Sequence, residues 1–200
     1  MQRVVAGALR GRRLLELPRT ITGVRPSSSR VRSAIFDRLQ AEVVGARVLD
    51  LFAGSGALAI EALSRGAAHA TLVERNRDLW PFLTAQIDAL GLASRTAIVR
   101  GDARRFLTSS NPTVDQAGER YDLVLVDPPY AEVELYGAVL DALVGGNHLA
   151  DAAVIVMEVE KRRGQRPNIP LPEALIREAV RDHGQTALEF LRHSPPPPPP

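Results

Sequence analysis

Residues 123–132 read LVLVDPPYAE. The run Leu123 to Val126 is continuously apolar, the pattern of a strand covered on both faces, and such strands belong to parallel sheets flanked by helices. Proline has no amide hydrogen for a β-ladder, so Pro128 and Pro129 end the strand and leave Asp127 at its carboxyl tip. In an open α/β sheet that edge is where ligands bind. The stretch therefore raises two questions: whether its surroundings build a parallel sheet, and what chemistry wants a carboxylate, stiffened carbonyls and an aromatic ring together.

Strand and helix patterns alternate on both sides of it. ARVLDLF (46–52), ATLVE (70–74), TAIVRG (96–101) and AAVIVMEVE (152–160) read as further buried strands. Between them ALAIEALSRG (57–66) and LWPFLTAQIDALG (79–91) read as helices ending at glycine, ARRFLTS (103–109) as a short helix and VELYGAVLDALVG (133–145) as another. That rhythm predicts a Rossmann-like, mostly parallel sheet with helical crossovers. It breaks after residue 160. ALIREAVRDH (174–183) and TALEFLRH (186–193), separated by Gly184-Gln185, favour an antiparallel hairpin on the sheet edge, which would bring the sheet to seven strands, although ALIREAV also fits a helix. Upstream, QRVVAGAL and RRLLELP flank a turn at Arg10-Gly11 and read as a small β-hairpin; SSSRVRSAIFDRLQ (27–40) reads as a serine-capped helix with Val31, Ala34, Ile35 and Leu39 on its inner face and its arginines elsewhere. TSSNPTVDQAGER (108–120) is an exposed loop, and Pro195 to Pro200 an extended or disordered tail. The expected organisation is an N-terminal hairpin extension (1–24), one main domain (25–193) and the tail (194–200).

LDLFAGSGALAIEAL (49–63) links the first strand to the first helix of the alternating region. Gly54 and Gly56 allow a tight turn and close approach of a ligand to the helix start, and Phe52 and Ser55 lie in the same turn. Glu74, at the tip of the second strand, suits a ribose diol because a carboxylate accepts both hydroxyl hydrogens. This loose dinucleotide pattern is shared by nicotinamide, flavin and adenosyl cofactors. Asp50 discriminates among them: a carboxylate just before the glycine turn repels a pyrophosphate and attracts the ammonium and sulfonium of S-adenosyl-L-methionine. Asp102, with the small Ala103 beside it, adds an acceptor for an adenine amino group and is equally a helix N-cap.

With such a donor, the 127–130 stretch acquires a role. The exocyclic amine of a nucleobase is a poor nucleophile because its lone pair is delocalised into the ring. If Asp127 and the carbonyl of Pro128 accept its two hydrogens, the nitrogen moves towards tetrahedral geometry and its lone pair is free to point at the sulfonium methyl. Pro128 and Pro129 stiffen the carbonyl, and Tyr130 stacks on the extruded base. No metal is required.

Composition narrows the setting. A chain of 200 residues with 45% hydrophobic content makes one domain with a real core. No apolar run approaches the roughly 20 residues of a membrane span, and the N-terminus lacks a signal-peptide core, so a cytoplasmic protein with no membrane partner is expected. With no cysteine, disulfides, cysteine–zinc sites and thiol nucleophiles are excluded; the four histidines lack metal-ligand spacing. The net charge of +2 hides an asymmetry: residues 1–38 carry nine arginines against Glu16 and Asp37, +7, leaving −5 for the rest. Arg10, Arg12 and Arg13 at the hairpin turn, Arg25, Arg30 and Arg32 around the following helix start, and Arg162 and Arg163 after the fifth strand are the candidate contacts to a polyanion, expected to bracket the pocket.

DLFAGSGALAIEALSRGA, GD and DPPY together resemble a Rossmann-type S-adenosylmethionine-dependent amino-methyltransferase. Taken with VVAGALRGRRL, VRPSSSRVRSAIFDRL and HGQTALEFLR, the chain from Arg3 to Arg192 resembles the RsmD family of bacterial 16S ribosomal RNA guanine-N2 methyltransferases. The resemblance implies a guanine N2 amine in 16S rRNA as acceptor, met in the small ribosomal subunit or a late assembly particle, by an enzyme acting as a monomer. The alternative is an adenine-N6 methyltransferase acting on DNA or RNA, because the same carboxylate and carbonyl grip either amine. A nicotinamide-dependent oxidoreductase is disfavoured by Asp50, and a non-catalytic RNA-binding module by the intact DPPY.

Overall fold

The computed structural model describes residues 2–21, 27–109, 120–129 and 132–194. The alternation read from the sequence is realised as a three-layer α/β/α sandwich. β1 (Arg47–Asp50), β2 (His69–Glu74), β3 (Thr96–Arg100), β4 (Tyr121–Val126) and β5 (Leu149–Glu160) are parallel, and β6 (Leu175–His183) and β7 (Thr186–His193) form an antiparallel hairpin. The order across the sheet is β3-β2-β1-β4-β5-β7-β6. ALIREAV is thus a strand, held by eight paired positions with β7 on the sheet edge.

Parallel strands covered on both sides alternate their loyalties. Val48, Leu123, Leu125, Val154 and Val156 face one apolar layer, while Leu49, Val124, Val126, Ile155 and Met157 face the other. On the first face lie α1 (Ser29–Arg38), the short α2 (Gln40–Val43), α3 (Ala57–Ser64) and α4 (Leu79–Ala89); on the second, α5 (Ala103–Thr108) and α6 (Glu134–Gly145). Ser28 caps α1 through its hydroxyl, accepting from Val31 N at 3.2 Å. Among the described residues no helix is long and apolar enough to cross a membrane.

The N-terminal segment pairs antiparallel only around Arg3 and Arg13, with a wide loop at 6–11 in place of a two-residue turn. Its anchoring is polar. Glu61, the single charged residue of the otherwise apolar α3, is 1% exposed; its carboxylate accepts Val5 N (2.8 Å), Ala6 N (2.9 Å) and Arg65 Nε (2.9 Å). Ser64 at the end of the same helix binds Ala8 N, Leu9 N and Ala6 O, and Gln86 of α4 accepts Leu15 N. Val4 and Leu14 enter the core between these bonds. The segment is therefore part of the wall rather than a free arm.

Arg32 corrects the sequence reading. It is fully buried, donating to Ser27 O (2.6 Å), Arg3 O (2.7 Å) and Gln2 Oε1 (3.3 Å), with its Nε 3.7 Å from Glu61. An arginine with no exposed surface cannot reach a phosphate; it joins α1 to the N-terminal segment. Burial lowers its pKa, and Glu61 opposes that.

Breaking a buried pair by removing one partner leaves an uncompensated charge, at a cost of about 3–5 kcal/mol. Glu61→Ala should therefore lose stability on that scale in urea unfolding, whereas Asp37→Ala should lose under about 1 kcal/mol, because Asp37 is itself exposed and Arg65 keeps Glu61 as a partner.

Candidate active site at the carboxyl edge of the sheet

β1 pairs with β2 on one side and β4 on the other, so the strands leave it in opposite directions and a crevice opens at its carboxyl tip. The chain leaving β1 spans that crevice: Leu51 N bonds Leu125 O of β4 (3.1 Å) and Ala53 N bonds Val73 O of β2 (3.0 Å). Gly54 (φ 53°) and Gly56 (φ 75°) then turn into α3 in the left-handed region. At Gly56 a Cβ would also sit 3.0 Å from Leu83 and 3.3 Å from Leu72, so a side chain there meets a strained backbone and must push two core leucines aside by a few tenths of an ångström.

Asp50 ends β1, 1% exposed. Burial pushes its carboxyl up to about 7; the amides of Phe52 and Ala59 favour the charged form, and nearby Glu74 opposes it. One oxygen, Oδ2, is buried with no hydrogen-bond partner. An orphaned acceptor with a neutral-range pKa is an expensive feature for a strand end, and it fits a ligand that brings positive charge.

Glu74 closes the other side. Its Oε2 accepts Gly54 N (2.8 Å) and its Oε1 accepts Asn76 N (2.6 Å), so the carboxylate read as a ribose acceptor also fastens the glycine turn to β2. Each oxygen has a second lone pair, so these bonds and a diol are compatible. Asp102 caps α5: Oδ1 alone accepts Arg104 N (3.0 Å) and Arg105 N (3.2 Å). Ala103 is buried beside it.

Asp127 stands half-buried one residue past β4, with Pro128 buried and Pro129 exposed. Pro129 O accepts Glu132 N at 2.9 Å, turning the chain towards α6. Glu132 then takes both terminal nitrogens of Arg75, Nη1 at 3.0 Å and Nη2 closer still. That bidentate pair joins the tips of β2 and β4 across β1, a contact with no signature in the sequence because its members lie 57 residues apart. Tyr130 and Arg25 lie outside the described residues.

The basic candidates separate. Arg30 is exposed in the first turn of α1, and Arg162 and Arg163 lie exposed on the turn just beyond the carboxyl end of β5, on the pocket's side of the sheet. Arg10, Arg12 and Arg13 do not bracket the pocket. α3 and α4 run away from the carboxyl edge, and the 6–11 loop is bonded at their far ends, to Ser64 and, through Arg12 Nη2, to Ala89 O (3.1 Å). Glu61 was also missed; a lone carboxylate inside ALAIEALS was the signal available.

Comparison with known proteins bears on the whole chain. Residues 2–192 match the family described as Conserved hypothetical protein 95. The chain is 38% identical over 190 residues to Ribosomal RNA small subunit methyltransferase D of Escherichia coli strain K12, covering 95% of this chain and 89% of that one. It is 34% identical over 173 residues to YlbH of Bacillus subtilis strain 168, covering 86% and 87%. The solved structure of yhhF from Escherichia coli superposes with a TM-score of 0.81 at 32% identity, covering 97% and 98%.

The raised carboxyl of Asp50 has a measurable consequence. Between pH 3.8, its ordinary pKa, and about 7 the folded chain holds a proton that the unfolded chain has released, so this group's contribution falls as pH rises, by on the order of 4 kcal/mol in all. Asp50→Asn removes the ionisation. Relative to wild type, it should gain stability from pH 4 to about pH 7 and level off above that in paired melting curves; a constant difference would mean that Asp50 is not shifted.

Proposed function

This chain belongs to the RsmD family of ribosomal RNA small-subunit methyltransferases, and from that premise we propose that it transfers a methyl group from S-adenosyl-L-methionine to the exocyclic N2 amine of a guanine in 16S rRNA. The observation that carries the reading is the pairing of two differently placed carboxylates: Asp50 buried and orphaned at the tip of β1, Asp127 half-buried at the tip of the adjoining β4. One suits a cationic donor, the other an acceptor amine.

When bound, S-adenosylmethionine supplies a methyl group activated by its sulfonium. Asp50 would take its ammonium, Glu74 the ribose hydroxyls, and Asp102 with Ala103 the adenine; Phe52, Gly54, Ser55 and Gly56 shape the turn around it. Asp127 and the Pro128 carbonyl accept the two amine hydrogens, and Pro129 stiffens the carbonyl. Held this way, the nitrogen lone pair would point at the methyl group, and Asp127, already accepting one amine hydrogen, would take the proton released when the N–C bond replaces the S–C bond. Tyr130 holds the extruded guanine in plane. Arg30, Arg162 and Arg163 hold the RNA beside the pocket, while Arg10, Arg12 and Arg13 contact it only away from the target base. The acceptor is the small subunit or a late assembly particle, met in the cytoplasm by a monomer. Residues 1–24 form an extension of the domain 25–193, followed by the tail 194–200.

Labelled methyl transfer to small subunits lacking the modification, followed by nucleoside analysis, tests this directly. N2-methylguanosine is expected; N6-methyladenosine would transfer the chain to the adenine-modifying class. Asp127→Ala should abolish transfer while cofactor affinity measured by calorimetry stays near wild type, and the reverse pattern would place Asp127 on the donor. Tyr130→Phe should retain most activity and Tyr130→Ala little, because base stacking is worth roughly 1–3 kcal/mol and does not need the hydroxyl.

A further inference from the structure

A cluster of arginines around Trp80 has no part in the site as described. Trp80 begins α4 above the β2 tip, its ring half-buried and held by an Nε1 bond to Glu74 O at 2.9 Å. The guanidinium carbons of Arg77 and Arg100 lie 5.9 and 5.8 Å from its ring centre. Arg100 ends β3 directly opposite Glu74 in the ladder, and Arg104 and Arg105 follow in the short helix α5. Arg75, paired with Glu132 at the site, borders the group. Its carboxylate neighbours are accounted for: Glu132 is taken up by Arg75, and Asp102 by its cap and by Arg104 at 3.6 Å. Among the described residues no carboxylate comes within ion-pair distance of Arg77, Arg100 or Arg105, and all three are exposed.

Two guanidiniums without carboxylate partners flank one aromatic ring, with Arg105 on the helix that follows the same β3 tip; like charges repel, and an exposed cation–π contact returns only about 0.5–1 kcal/mol, so stability gives little reason for the grouping. It is the composition of a surface for a nucleic-acid backbone, in which guanidiniums take phosphates and the ring offers a stacking face. Its place supports that. The tips of β2 and β3 continue the edge that begins at Asp127 on β4 and passes Asp50 on β1, so nucleotides flanking a base held at Asp127 have this surface within reach along the same edge.

We infer that Arg77, Arg100 and Arg105, with Trp80 between the first two, form a contact surface for the RNA phosphodiester backbone beside the target base. The inference rests on the proposed RNA substrate and deepens it. The test uses the full chain and two probes: unmodified 16S rRNA transcribed in vitro, and small ribosomal subunits lacking the methyl group. Removing one arginine–phosphate pair should reduce the slope of log affinity against log salt by about 0.7–0.9. The triple variant Arg77→Gln, Arg100→Gln, Arg105→Gln should therefore flatten the slope by about 2 and weaken transcript binding at least tenfold at low salt, with cofactor affinity and melting temperature kept. The corresponding triple lysine variant should keep the slope. Should the triple glutamine variant melt early, Arg105→Gln alone, on an exposed helix face, should still flatten the slope by about 0.7–0.9.

A glutamine variant that stays folded and binds the transcript with wild-type affinity and slope overturns the inference. So does a variant that binds transcript normally and fails only on assembled subunits, since the surface would then meet a ribosomal protein. If the wild-type chain neither binds nor methylates either probe, the RNA substrate itself is wrong; if wild type methylates and the variants bind like it, the proposed function stands and only this surface falls.

Discussion

Pairing β1 in parallel with both β2 and β4 is the constraint from which the site follows. Because β2 and β4 lie on opposite sides of it, the connections leaving β1 and β4 diverge and a crevice forms at the carboxyl edge. Parallel register then brings Asp50, Glu74 and Asp127 to that edge from three separate stretches of chain, with Asp102 one strand further along. The backbone bonds of Leu51 to β4 and Ala53 to β2 tie the chain leaving β1 to both neighbours, and Glu74 ties its glycine turn down.

Stability is supplied elsewhere. Two apolar layers, one on each face of the sheet, carry the burial, and Glu61 fastens the N-terminal segment to α3 through two amides and two arginines. That separation lets the carboxyl edge hold groups that work against folding, above all Asp50, whose charge is desolvated and whose Oδ2 lacks a partner. The Glu61 carboxylate is met by fixed donors; at Asp50 one oxygen is left without one. The number of fixed donors around a buried carboxylate separates the two.

The exposed arginines are spread over different parts of the surface, one group at the far ends of α3 and α4 and others at the carboxyl edge. Arg75 and Glu132 link the chain just past the β2 and β4 tips across β1.

By itself, the sequence determined the type and order of the elements, the parallel sheet with its antiparallel hairpin, and the carboxylates at the strand tips. These follow from local rules: periodicity of apolar residues, glycine where φ is positive, proline where a ladder must stop. What only the tertiary structure decided is the fate of individual charges. Arg32 and Arg30 are two residues apart on one helix, yet one is buried with four partners and the other faces water. The hairpin arginines sit far from the pocket because Glu61, Ser64 and Ala89 hold their loop there, and Arg77 and Arg100 share Trp80 from adjacent strand tips. A charge in a sequence carries no record of what will desolvate it or stand opposite it; both are set by contacts between residues distant in the chain, so the edge was legible in advance and its occupants' partners were not.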